Sequence, residues 1–160
     1  MPDCVRSLQN GDAILVRNKI ATRPWQHVLE PLSGYLWLGA CLAKPSLSGW
    51  SDRLTSAFNF GPNLSSNKSV AQLVDEILKY WPGKWVDKSY PNALHEAQLL
   101  NLTTDKAYHI LAWKSTWSFE LTIYHTVSWY QKSLDKIELT RAQISLYTKD
   151  ALSNSCIWAK

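Results

Sequence analysis

An arginine held in extended backbone is the residue of this sequence best equipped to hold an anion. Arg23 lies in the run Thr22-Arg23-Pro24-Trp25-Gln26-His27. Proline fixes its own φ and pushes the residue before it out of the helical region, so the guanidinium is expected to project from a strand or turn. A guanidinium stays charged at any physiological pH and meets phosphate with a two-pronged geometry that lysine cannot copy. Arg17 and Lys19 stand just upstream, and local positive charge of this kind steers anionic ligands. The competing reading of Arg23 is a surface ion pair with Glu30 or Asp12, an interaction of small energetic value. Metal chemistry finds no support. His95-Glu96 lacks a second histidine four positions after the first, and His27, His109 and His125 share no ligand spacing.

The elements that must position Arg23 can be read from pattern. Residues 1–10 form a short helix carrying Val5 and Leu8, closed by Gly11. Residues 13–16 are β-branched enough for a strand, and 17–21 make a basic turn leading back to Arg23. Pro31 suits the first helical position. The helix from Leu32 is apolar nearly all round through Tyr35, Leu36, Leu38, Cys41 and Leu42, which predicts burial. After a loop at 44–54, residues 56–60 alternate as a strand ended by Gly61-Pro62. Ser69 with Gln72 is a capping box for a helix bearing Val70, Leu73, Val74, Ile77 and Leu78, stopped by Pro82-Gly83. Short strands are expected at 85–87 and 98–102, with a turn at 89–92 between them. A brief helix capped by Thr103 or Thr104 follows, then one capped by Ser118 that buries Leu121, Ile123, Val127 and Tyr130. A last helix opens on the Thr140/Gln143 pair and runs to about Leu152. The class is a mixed α/β lobe with strands too few and short for a complete doubly wound sheet.

T-R-P-W-Q-H-V-L-E-P-L-S-G-Y-L at 22–36, F-N-F-G-P at 58–62, H-E-A at 95–97, L-N-L at 100–102, K-A-Y-H-I-L-A-W at 106–113 and S-W-Y at 128–130 together resemble the CDP-glucose 4,6-dehydratases. These are extended short-chain dehydrogenase/reductases acting on nucleotide sugars in deoxysugar and O-antigen biosynthesis. The resemblance covers most of the chain but only the C-terminal, substrate-side part of that family, with Ala112 standing where the family usually has glycine. It implies the substrate-binding lobe without its Rossmann domain, over residues 1–160. It places Arg23 on the substrate diphosphate, and Ile14 and Val16 on the strand whose backbone reads the nucleobase. Asn59 then falls in a Y-N-x-G-like segment near the ligand, and His95-Glu96 where relatives carry a basic diphosphate contact. From pattern alone these residues fit equally well a packed strand, a turn asparagine and a surface pair.

Catalytic residues are not expected. A G-x-x-G-x-x-G phosphate cradle is absent, and Tyr80 with Lys84, the tyrosine–lysine pair at the right spacing, is broken by Pro82-Gly83. The implied NAD is thus a cofactor of the complete enzyme and not of this chain. The expected partners are a CDP-sugar, an N-terminal Rossmann domain or second chain supplying the absent half, and a possible second copy. An interaction module or a truncated remnant, neither catalytic, is the alternative.

Seventeen basic against thirteen acidic residues give a net charge of +4, spread without a basic run, which argues against nucleic-acid binding. Three dispersed cysteines read as reduced thiols. No apolar stretch reaches the roughly 20 residues of a membrane span, and no signal-peptide plan opens the chain, so a cytoplasmic protein is expected.

Overall fold

The computed structural model describes residues 1–44, 51–89, 99–132 and 135–160. Its helices are α1 (Pro2–Gln9), α2 (Leu29–Leu42), α3 (Ser51–Leu54), α4 (Val70–Tyr80), α5 (Asp105–Leu111), α6 (Phe119–Gln131) and α7 (Lys136–Ser153). The strands β1 (Ile14–Val16), β2 (Thr22–Pro24), β3 (Asn67–Ser69) and β4 (Trp85–Asp87) interleave with them. The molecule is the mixed α/β lobe that the pattern predicts, with strands in two ribbons. β1 pairs in parallel with β4, and β2 pairs antiparallel with β3.

Local chemistry fixes the ends. Gly11 follows α1 with φ at 74°, a conformation that costs a glycine little. The Ser69 hydroxyl accepts from the Gln72 N–H while the Gln72 side chain accepts from the Ser69 N–H, so the capping box at α4 is complete. Ser118 caps α6 through the Leu121 N–H. Along β1, Ile14 and Val16 turn inward and Leu15 outward. The first core gathers Cys4 and Leu8 of α1, Ile14 and Val16 of β1, Leu73, Val74 and Ile77 of α4, and Phe119, Ile123 and Val127 of α6. A second core lies under α2, built on Cys41, Leu54, Phe60, Ala107, Leu111 and Trp113.

Several expectations fail for identifiable reasons. Helix α2 begins at Leu29, so Pro31 sits inside its first turn, and its apolar side is not buried: Tyr35 is 59% and Leu36 77% exposed. The inward face instead carries Glu30, Ser33, Gly34 and Cys41. At Gly34 a Cβ would run into the Phe60 ring, so the glycine admits that ring against the helix. Residues 56–60 form no strand. The Phe60 carbonyl accepts from the Gln26 side chain and the Ala57 carbonyl from Lys106, in place of a strand partner. In the described part of 98–102 there is a single bridge, Thr22 with Leu99. Helix α5 starts after Thr104, which makes no side-chain cap. On α6, Leu121 is exposed and Tyr130 only half-buried. Helix α7 starts four residues before Thr140, capped by Asp135 through the Ile137 N–H. Thr140 lies within it, its hydroxyl donating to the Lys136 carbonyl. Of the turn at 89–92, only Ser89 is among the described residues.

Candidate functional site

The β2–β3 ribbon sets two cations side by side. Arg23 lies opposite Lys68 in the antiparallel register, and directly opposed residues share a face with Cβ atoms about 5 Å apart. Two cations on one face make a local positive field, and Lys68 also lies near the Glu120 carboxylate. Arg23 is half-buried, and its Nη1 donates to the Thr22 carbonyl at 2.8 Å, which steadies the guanidinium against its own strand. Trp25, just past the strand, is pinned to the same ribbon. Its N–H donates to the Ser66 carbonyl and its indole N–H to the Lys68 carbonyl at 2.8 Å. Lys68 has no sequence signal of its own; only the pairing of distant strands brings it to Arg23.

A cleft of about 390 Å³ opens beside this ribbon, lined by Ile14, Leu15, Val16, Arg17, Trp25 and residues of α1 and α4. The structure thus brings Ile14, Val16 and Arg17 together. The side chains of Ile14 and Val16 point into the first core, and their backbone faces β4: the Ile14 N–H donates to the Lys84 carbonyl and the Val16 carbonyl accepts from Lys88. Alternation along a parallel ladder turns the Leu15 N–H and C=O to the opposite edge. Leu15, exposed and unmarked by any motif, is therefore the β1 residue whose backbone is turned away from β4, and it lines the cleft. Lys19 is taken up by Asp87 at 2.7 Å, which holds that carboxyl well below its usual range. Asn59 lies elsewhere: it is exposed, donates to the Thr103 carbonyl at 3.3 Å and lines neither this cleft nor the cavity beside His27. His95 and Glu96 lie outside the described residues.

Behind Trp25 the chain enters a buried polar cluster that no motif announces. Glu30 is fully buried. Its carboxylate accepts from the N–H groups of Thr116 (3.0 Å) and Trp117 (2.7 Å) and from the Tyr147 hydroxyl (2.7 Å). Tyr147 also meets Ser33 Oγ, which accepts from the Trp113 indole. Burial raises the Glu30 pKa, and the three donors pull it back down. Glu30 is thus committed to a structural network. Nearby, His27 is buried edge-on against Trp117, which stacks on His125 with ring centroids 4.1 Å apart. Desolvation, then the neighbouring His125, hold His27 down to about 4, and burial lowers His125 as well.

Among the described residues no group of three or more His, Cys, Asp or Glu side chains is placed to hold a metal. Cys4, Cys41 and Cys156 are buried free thiols. The strand that runs directly into a helix, β3 into α4, has its first-turn N–H filled by the Ser69 side chain, with no glycine turn to seat a pyrophosphate. No helix among the described residues is long and apolar enough to cross a membrane.

No protein-family model matches the chain. It is 32% identical over 154 residues to a CDP-glucose 4,6-dehydratase of Salmonella typhimurium (strain LT2). That alignment takes in 92% of this chain and 41% of the relative, so the chain spans about two-fifths of the relative's length. The resemblance carried by the motifs holds across nearly the whole sequence, and its extent agrees with a substrate-side portion of such an enzyme.

Proposed function

From a chain similar to two-fifths of a CDP-glucose 4,6-dehydratase, we propose a nucleotide-sugar-binding lobe. Its ligand is a CDP-sugar, with the diphosphate held at Arg23 and Lys68 and the base in the cleft bordered by Leu15 and Arg17. The observation that carries this reading is the register pairing of Arg23 with Lys68: two cations opposed on a ribbon are a favourable arrangement once a dianion bridges them. The binding energy is that of charge-assisted hydrogen bonds beside a partly apolar wall. Hydride transfer and proton abstraction belong to NAD and to residues of another segment or chain, and this chain alone is expected to give no turnover. The cellular setting is the cytoplasm, in keeping with free buried thiols.

Calorimetric titration of CDP, UDP and NAD into the 160-residue chain tests the proposal. CDP is expected to bind, and NAD not to. Arg23→Ala should weaken CDP at least tenfold, about 1.4 kcal/mol, and Lys68→Ala somewhat less. A folded chain that ignores CDP, or an Arg23→Ala variant that binds it as well as the parent, would overturn the assignment.

A second reading, an association module, is favoured by one observation: the outward apolar face of α2 with Leu32, Tyr35 and Leu36. Contiguous exposed apolar residues of this kind commonly mark a contact surface.

A further inference from the structure

Backbone bonds on either side of Arg23 reveal how the β2–β3 ribbon is held. The Val70 N–H donates to the Ala21 carbonyl at 3.0 Å and the Trp25 N–H to the Ser66 carbonyl at 3.3 Å. Both pairs continue the register that sets Arg23 opposite Lys68, and in an antiparallel ladder hydrogen-bonded pairs recur at every second residue. Arg23 and Lys68 are therefore a hydrogen-bonded pair, and Trp25, two residues on, shares their face. Pro24 falls on the alternate pair with Asn67, where the ladder asks for no N–H.

On that shared face the Trp25 indole reaches diagonally across the ribbon, and its Nε1–H donates to the Lys68 carbonyl at 2.8 Å. One residue thus grips β3 twice, Ser66 through its backbone and Lys68 through its side chain. The grip matters because the ribbon has only three residue pairs, and a short two-stranded ribbon is marginal by itself. Lys68 also has a rival partner, since the Glu120 carboxylate of α6 lies near it. Arg23, by contrast, is steadied on its own strand by the Thr22 carbonyl. Of the two cations, Lys68 is the one whose place depends on a residue of the other strand.

We propose that Trp25 is a positioning residue whose indole N–H fixes Lys68 opposite Arg23, so that the two cations meet one anion together. The inference rests on the nucleotide-sugar reading for the identity of that anion, a diphosphate, and on the ribbon alone for the positioning. Trp25 acts through Lys68, and this role asks for no contact with the ligand.

Two replacements remove the donor: Trp25→Phe, and 3-benzothienylalanine at position 25, which keeps the bicyclic shape should the smaller ring unsettle the fold. Calorimetry of CDP and of inorganic pyrophosphate on the full chain, at two salt concentrations, is combined with amide exchange followed by NMR. Loss of one hydrogen bond of ordinary strength should weaken both anions roughly threefold to tenfold. That loss should vanish in a Lys68→Ala background and persist in an Arg23→Ala background, because a double-mutant cycle isolates the coupled pair. The salt dependence of affinity should fall in Trp25→Phe as it does in Lys68→Ala, since one cation fewer meets the anion. The Arg23 and Lys68 amides should exchange roughly fivefold faster as the ribbon opens more often. Effects of Trp25→Phe and Lys68→Ala that simply add would overturn the positioning role and leave the nucleotide reading standing. Faster exchange at both amides, in a chain that binds neither anion, would keep Trp25 as the residue that places Lys68 and sink the nucleotide reading. Exchange unchanged by both replacements would overturn the positioning role.

Discussion

Glu30 immediately follows the Arg23–Leu29 stretch, and its carboxylate anchors that stretch to two other parts of the chain through Thr116, Trp117 and Tyr147. Hydrogen bonds to a charged acceptor contribute about 1.5–3 kcal/mol each when buried partners would otherwise be unmet. Glu30→Gln keeps the shape but replaces one acceptor with a donor, and should cost about 2 kcal/mol in urea unfolding. Glu30→Leu leaves three donors buried and unmet, and should cost more. His27 provides the pH dependence. Its folded pKa of about 4 lies below the ~6.5 of an unfolded histidine, so the unfolded chain takes up a proton that the folded one refuses. Stability is therefore full above about pH 6.5 and falls on the way to pH 4, by up to about 3 kcal/mol from this residue. His125 adds in the same direction, whereas Glu30, with its raised pKa, opposes as it protonates. Unfolding free energies measured at pH 7, 6 and 5 should decline, and His27→Gln should flatten the decline. A slope unchanged in that variant would mean that other groups control it.

At the scale of elements, what could be read from the sequence was what local sterics decide. Pro24 alone puts Arg23 into extended backbone, Gly11 alone ends α1, and Ser69 with Gln72 starts α4, because each depends on residues within a turn of one another. The failures are those where a distant partner decides. The apolar pattern of α2 predicts burial, yet the side facing the protein is the one with Glu30, Ser33 and Gly34, since these meet Thr116, Tyr147 and the Phe60 ring. Likewise Lys68 joins Arg23 only through strand pairing, and the Leu15 backbone is turned away from β4 only because β4 has taken its neighbours. The exposed face of α2 makes its own prediction. If it is a contact surface, light scattering of the parent should show association that Leu36→Glu abolishes without loss of helicity by circular dichroism. A parent that stays monomeric at high concentration would remove the association reading.

For the whole molecule, the two cores meet where α2 leaves the Arg23 ribbon, and the Glu30 network is the joint between them. Its partners lie 86 and 117 residues away along the chain, and the Trp113–Ser33 bond spans 80. Contacts of such long range close large loops, whose entropy must be overcome before the contact contributes anything. The joint is expected to close after the rate-limiting step of folding. Interactions absent from the transition state slow unfolding without speeding folding. In stopped-flow kinetics Glu30→Gln should raise the unfolding rate by roughly 30-fold, the equivalent of about 2 kcal/mol, and leave the refolding arm almost unmoved. The carboxylate then acts as a latch on the lifetime of the native state: the segment bearing Arg23 stays in place for as long as the latch holds.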